Sequence, residues 1–282
     1  MTEKTEKEIE TMFMNDVARE KLHVADKLLN SRFDTIRKSA PNLLLTADEG
    51  YGLTTYGKAY AKIVDESLAL KVRGRETFLE LVFPKNNEME EKLFYDSPRV
   101  VAEYRNRFYG TMIISLREYT GMDLIKSESL GRLLEFIEGN KDNIHFIFHI
   151  LPEFSAQKKL LAKLREVTNI DEVIFDKPGS DLGRSYIVDK LNDNGVSISK
   201  TAVKLLGEKV LPGLVAMADY KGYKSLSSFV DRLYLEIGMW EKGEEDLIID
   251  ESMVEQLEKK MLREAEEKAN GTYSIGFVKG KG

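Results

Sequence analysis

The sequence predicts an α/β domain built on a five-stranded parallel sheet, followed by a small helical domain. Three observations carry this expectation. Between residues 41 and 178, five short apolar runs alternate with segments of helical spacing, at the lengths of a parallel sheet with helices on both faces. Beyond Pro178 the helical spacing continues with no further run of that kind. The composition, 42% hydrophobic and 32% charged over 282 residues, suits a folded chain with a charge-rich surface.

Residues 1–40 read as an N-terminal extension of two or three short helices, with Met12, Met14, Val17, Leu22, Val24, Leu28 and Leu29 as apolar positions. The α/β domain, 41–178, opens with the stretch PNLLLTADEGYGLTTYGKAYAKIV. Its first strand centres on Leu43 to Leu45, Gly50 and Gly52 form a turn, and a helix runs from Leu53 to about Ser67. Such a turn aims backbone N–H groups and a helix N-terminus at one place, which suits an anion. The second strand, Phe78 to Phe83, stops at Pro84, which cannot donate to a ladder. After a loop with Asn86 and Asn87 come helical residues around Val100 to Phe108, then a third strand, Thr111 to Leu116. An amphipathic helix from Leu130 to Ile137 ends at Gly139 and Asn140, and the fourth strand is Ile144 to Ile150. Ser155 is read as the cap of a helix to about Val167, and Val173 to Phe175 as the fifth strand.

The helical domain, 179–270, comprises Asp181 to Leu191, a run capped by Ser199 and reaching Leu211, Ser225 to Ile237, and Glu251 to Ala269. Asn194-Gly195, Pro212-Gly213 and Lys221-Gly222 separate these helices. Residues 271–282 form a glycine-rich tail.

Composition narrows the chemistry. No cysteine is present, which removes disulfides, thiolate catalysis and Cys-ligated zinc together, and only three histidines remain. A net charge of -6 argues against broad binding to nucleic acid, and Lys158, Lys159, Lys163 and Arg165 read as a solvated helix face. No apolar run reaches the roughly 18 to 20 residues that a membrane span needs, and MTEKTEKEIE does not read as a signal peptide, so the expected setting is the cytoplasm. Glu135 with Glu138, and Asp171 with Glu172, read as surface charges. His145 and His149, four apart in a strand, stand about 13 Å from one another, too far to share a metal.

The order of elements and several local phrases resemble the AAA+ ATPase family, in particular the branch of rubisco activase-like and type VII secretion ATPases. LLLTADEGYGLTTYGKAYAKIV follows that family's first strand, Walker A loop and first helix. GTMIISLREY is similar to its Walker B strand, IHFIFHI to its sensor 1 strand, IDEVIFDKPGSD to its fifth strand, and SLSSFVDRL to the lid helix that opens with the sensor 2 arginine. The resemblance covers roughly Pro41 to Ile237. It implies a three-layer domain with a helical lid, and ATP held between subunits of a ring.

Residue by residue, the resemblance places Leu53 where the Walker A lysine stands, with Thr54 and Thr55 supplying hydroxyls for magnesium. The Walker B acids fall on Leu116 and Arg117, with Glu118 one residue on, sensor 1 falls on His149, and sensor 2 on Ser228. Arg165 lies near the place of the arginine finger. The expectation is a remnant phosphate loop made of Gly50, Gly52, Leu53, Thr54 and Thr55, with no catalytic residue, metal ligand or resident cofactor. The expected partners are proteins, either the chain itself or an active AAA+ subunit. A second register, Gly52 to Lys58, spells G-x-x-x-x-G-K with Ala59 in the magnesium position; in that reading Lys58 serves the phosphates and ATP with magnesium is bound.

Overall fold

The computed structural model describes residues 16–33, 39–67, 78–85, 110–239 and 248–269, with isolated positions 5, 6, 9, 14, 35, 94 and 95. The expected helix around Val100 to Phe108, the Asn86–Asn87 loop and the tail 271–282 lie outside the described residues. The chain divides into two units, Met1–Lys177 and Pro178–Gly282.

The first unit is a three-layer α/β domain. Its strands are β1 (Asn42–Thr46), β2 (Phe78–Val82), β3 (Gly110–Ser115), β4 (Ile144–Ile150) and β5 (Ile170–Ile174). They form one sheet in the order β2-β3-β4-β1-β5, and each adjacent pair is parallel. Every residue of β1 and β3 is buried, which requires helices on both faces.

Alternation along the strands divides the core in two. Leu43, Leu45, Ile113, Ile147 and Val173 point to the face covered by α1 (Asp16–Leu29) and α2 (Leu53–Ser67). In α1 the buried residues Ala18, Leu22, Ala25 and Leu29 recur every three or four positions, and Asp16 and Lys27 oppose the helix dipole at its two ends. Leu44, Met112, Ile114, Phe146 and Phe148 point to the other face. There they meet Leu130, Leu133 and Ile137 of α4 (Glu128–Asn140), and Leu160, Leu161 and Leu164 of α5 (Gln157–Val167). A single turn, α3 (Met122–Ile125), precedes α4.

Some boundaries differ from expectation. The fifth strand starts at Ile170, because Asn42 to Thr46 pair with Ile170 to Ile174. Asp171 and Glu172 hide this edge strand from an apolar count. They serve opposite faces, Asp171 taking the Lys21 ammonium at 2.6 Å and Glu172 accepting from Gln157 Nε2. Ser155 does not cap α5: its hydroxyl donates to the Thr120 carbonyl at 2.9 Å, and Ala156 precedes the helix with no side-chain cap. Gly139 and Asn140 belong to the last turn of α4, where Asn140 Nδ2 donates to the Phe136 carbonyl at 2.7 Å.

The second unit holds α6 (Ser180–Asp193), α7 (Lys200–Leu205), α8 (Leu211–Ala216), α9 (Tyr223–Met239) and α10 (Glu251–Ala269) around a core that includes Ile187, Leu206, Leu211, Phe229 and Val254. Ser199 caps α7, accepting from the Ala202 N–H. Between α7 and α8 lies one π turn, Leu206–Val210, in which the Leu211 N–H donates to the Leu206 carbonyl. Pro212-Gly213 therefore does not break the run: the backbone stays helical from Lys200 to Ala216, with the π turn directly before Leu211 and Pro212. Two short strands, β6 (Ser197–Ile198) and β7 (Ile248–Ile249), pair in parallel, so strand structure does recur beyond Pro178.

Candidate functional site

The C-terminal ends of β1, β3 and β4 bring His149 against Ser115 and against Ala47, which leads into the Gly50–Gly52 turn. β1 ends at Thr46, and the chain reaches α2 through a turn in which Gly50 and Gly52 have φ of 83° and 89°, a conformation that side chains disfavour. The Tyr51 N–H donates to the Asp48 carbonyl, and the Tyr56 N–H to the Gly52 carbonyl at 2.9 Å, which opens the helix. Tyr56 and Tyr60, both buried, fix that helix: their hydroxyls donate to the carbonyls of Ala18 at 3.1 Å and Pro41 at 2.8 Å. The start of α2 is thus held from α1 and from the entrance to β1.

Leu53 is half-buried and packs on the apolar cluster beneath α2, while Thr55 is exposed. The Thr54 hydroxyl donates to the carboxylate of Glu80, 3.1 Å and 3.3 Å from its two oxygens. Glu80 lies in the middle of β2, and sequence reading missed it. The only signal available was its place as a charged residue among apolar ones in an alternating strand.

Lys58 is exposed in the second turn of α2. Its neighbour Gly57 is buried against the sheet, and a Cβ there would come within 2.4 Å of Ile113 Cδ1. Gly57 therefore serves a close helix–sheet approach.

His149, at the end of β4, is buried and bonded at both ring nitrogens. Nδ1 lies 2.9 Å from Ser115 Oγ and Nε2 lies 2.9 Å from the Ala47 carbonyl. A carbonyl only accepts, so Nε2 carries the proton and Nδ1 accepts from the Ser115 hydroxyl. Burial holds the imidazole below its ordinary range; nearby Arg117 pushes the same way, while the Ala47 carbonyl, Glu80 and Asp48 oppose. The ring is a neutral strut between the end of β3 and the first residue after β1.

Leu116 and Arg117 directly follow β3, and the Leu116 N–H donates to the His149 carbonyl at 2.8 Å. Leu116 is fully buried in the core on the α4 and α5 face, and Arg117 is exposed. Glu118 is exposed and accepts from the Lys85 N–H at 3.3 Å. Arg165 is exposed on α5 and Ser228 is exposed on α9 of the second unit. Among the described residues, no group of three or more His, Asp or Glu is placed to hold a metal ion, and no helix is long and apolar enough to cross a membrane.

A five-stranded parallel sheet in this order, covered on both faces and followed by a helical unit, is an AAA+-like fold. Among solved structures, a RuvB variant from Thermotoga maritima matches with a TM-score of 0.57 at 12% identity, over 92% of this chain and 74% of that one. The RuvB Holliday junction branch migration motor of the same organism matches with a TM-score of 0.56 at 13% identity, over 88% and 70%. Domain III of the Thermotoga maritima replication initiation protein DnaA matches with a TM-score of 0.55 at 11% identity, over 89% and 95%. These neighbours are AAA+ ATPases, and at such identities the likeness is one of fold. No protein-family model and no curated protein matches the sequence.

Proposed function

We propose that this chain is an AAA+-like protein without ATP hydrolysis, acting as a structural or regulatory subunit through self-association or beside an active AAA+ subunit. The observation that carries the reading is the character of the side chains around the Gly50–Thr55 turn. Phosphoryl transfer on this fold is catalysed by positive charge on the β- and γ-phosphates, a metal held by a hydroxyl and an acid, and a residue that orients water. Leu53 offers no charge, Leu116 is committed to the core, and the Thr54 hydroxyl is engaged by Glu80. His149 has no free nitrogen for a γ-phosphate. The residues present supply no cation at position 53 for the β- and γ-phosphates and no free His149 nitrogen, and without these little remains to lower the barrier.

The register that ends in Lys58 fares no better as a phosphate site. The ammonium lies in the second turn of α2 rather than at its start, and the glycine before it is filled by Ile113. The test is ATP turnover by purified protein with magnesium, compared with a Lys58→Ala variant. Phosphate release at background level in both is expected. Turnover in the parent chain that the substitution abolishes overturns the proposal.

A further inference from the structure

We propose that Glu80 acts as a built-in anion for the first turn of α2, filling within the chain the role that a phosphate has at such a loop. The inference rests on the non-hydrolytic reading and extends it to what holds the loop and what it rejects.

Packing places the carboxylate. Phe78 and Glu80 lie on the face of β2 toward α2, Phe78 partly buried and Glu80 exposed at the edge, as Glu80 is the register partner of Ile113, whose side chain belongs to the α1 and α2 core. The helix sits close to the sheet because position 57 is glycine; a Cβ there would lie 3.4 Å from the Phe78 ring as well as against Ile113. Following α2 back from Gly57 to Thr54 corresponds to following β2 forward from Phe78 to Glu80. That correspondence sets the carboxylate beside the Thr54 hydroxyl, with both of its oxygens in reach. A carboxylate at the first turn of a helix is attracted by the exposed N–H groups and the positive end of the helix dipole.

The same arrangement disfavours phosphate. Glu80 and Asp48 both contribute negative potential at His149, and Arg117 is the cation acting there. A polyphosphate entering the turn would approach an anion already in place and would meet no lysine at position 53. Removing the carboxylate charge and supplying a cation should therefore act together rather than separately.

The experiment measures pyrophosphate and magnesium–ATP binding by titration calorimetry for the parent chain, Leu53→Lys, Glu80→Gln and the pair. The pair is expected to bind pyrophosphate at least about tenfold more tightly than Leu53→Lys alone, a difference of about 1.4 kcal/mol. Equal affinity in those two proteins, including none in either, overturns the role given to Glu80. Tight magnesium–ATP binding by the parent chain instead overturns the non-hydrolytic reading, and the contrast between Leu53→Lys and the pair still decides the role of Glu80. A urea-unfolding cycle of Thr54→Val with Glu80→Ala gives an independent check. The midpoint shift from Glu80→Ala should be smaller in the Thr54→Val background, which keeps only the part due to the helix N-terminus, whereas fully additive shifts overturn the proposal.

Discussion

Two turns in the first unit use the same device to different ends. At Gly50–Thr55 and at Thr120–Leu124, a glycine with positive φ leads the chain into a helix. In the second turn, Asp123 closes the arrangement: its carboxylate accepts from the N–H groups of Thr120 at 3.1 Å, Gly121 at 2.8 Å and Leu124 at 3.0 Å, and binds the Lys85 ammonium at 2.6 Å. In the first turn, the chain's own carboxylate arrives from a different strand and meets a side-chain hydroxyl. Backbone amides served by a local acid make a rigid corner. At Gly50–Thr55 the local acid, Asp48, takes the Glu49 N–H before the turn, and the carboxylate that reaches the first turn of α2 comes from a residue far away in sequence.

The sharpest way to break this contrast is Gly121→Ala. The φ of 126° suits only glycine, and a Cβ would stand 2.5 Å from Ser155 Oγ and 2.8 Å from the Ala156 nitrogen. A loss of about 3 kcal/mol or more in urea unfolding is expected. A loss below about 1 kcal/mol would mean that the corner is not rigid.

Next comes His149→Phe. It leaves the Ser115 hydroxyl and the Ala47 carbonyl unpaired in a buried place, with an expected cost of about 2 kcal/mol. The imidazole is neutral in the fold with its pKa below the unfolded value, so the unfolded chain binds more protons as pH falls. The stability linked to this group is present above about pH 6.5 and declines below it; in the Phe variant that part of the acid-side decline should be absent from the urea midpoints.

The smallest expected effect is Asp123→Asn. Burial would raise this carboxyl, but the bond from Lys85 and the three backbone N–H groups outweigh it and leave the pKa at about 2. The folded value lies below the unfolded one, so the contribution is present above about pH 4 and is lost as pH falls toward 2. Solvent at this wetted pair reduces the contribution to about 1 kcal/mol. Urea midpoints for the parent chain and the variant should converge near pH 2 and separate at pH 7; a constant gap would place the effect in packing rather than charge.

The strands were readable because their identity lies in consecutive residues. Ile144–Ile150 is apolar at five of its seven positions, and the structure returns those same bounds. The edge strand β5 was only half readable, since Asp171 and Glu172 find partners 150 and 15 positions away. Two-residue strands such as β6 have no period to detect, and Ser155 looked like a cap because a hydroxyl before a helix usually is one. At the candidate site, Leu53 and Leu116 are visible in the sequence as uncharged residues, and only the resemblance to family motifs singles them out. The engagement of Thr54 by Glu80 spans 26 positions and depends on how tightly α2 lies on the sheet. The double tether of His149 needs the ends of three strands at once, and no local pattern encodes it.

The π turn at Leu206–Val210 turns segment length into information. An α-helix advances about 100° per residue, so deleting one residue from this segment would let regular hydrogen bonding resume while rotating everything after it by that angle. Leu211 and Leu214, both buried, would turn away from the core of their unit. Many substitutions on the exposed side of this stretch leave the phase of the helix intact, whereas a single deletion shifts it, so the count of residues is more constrained here than their identity.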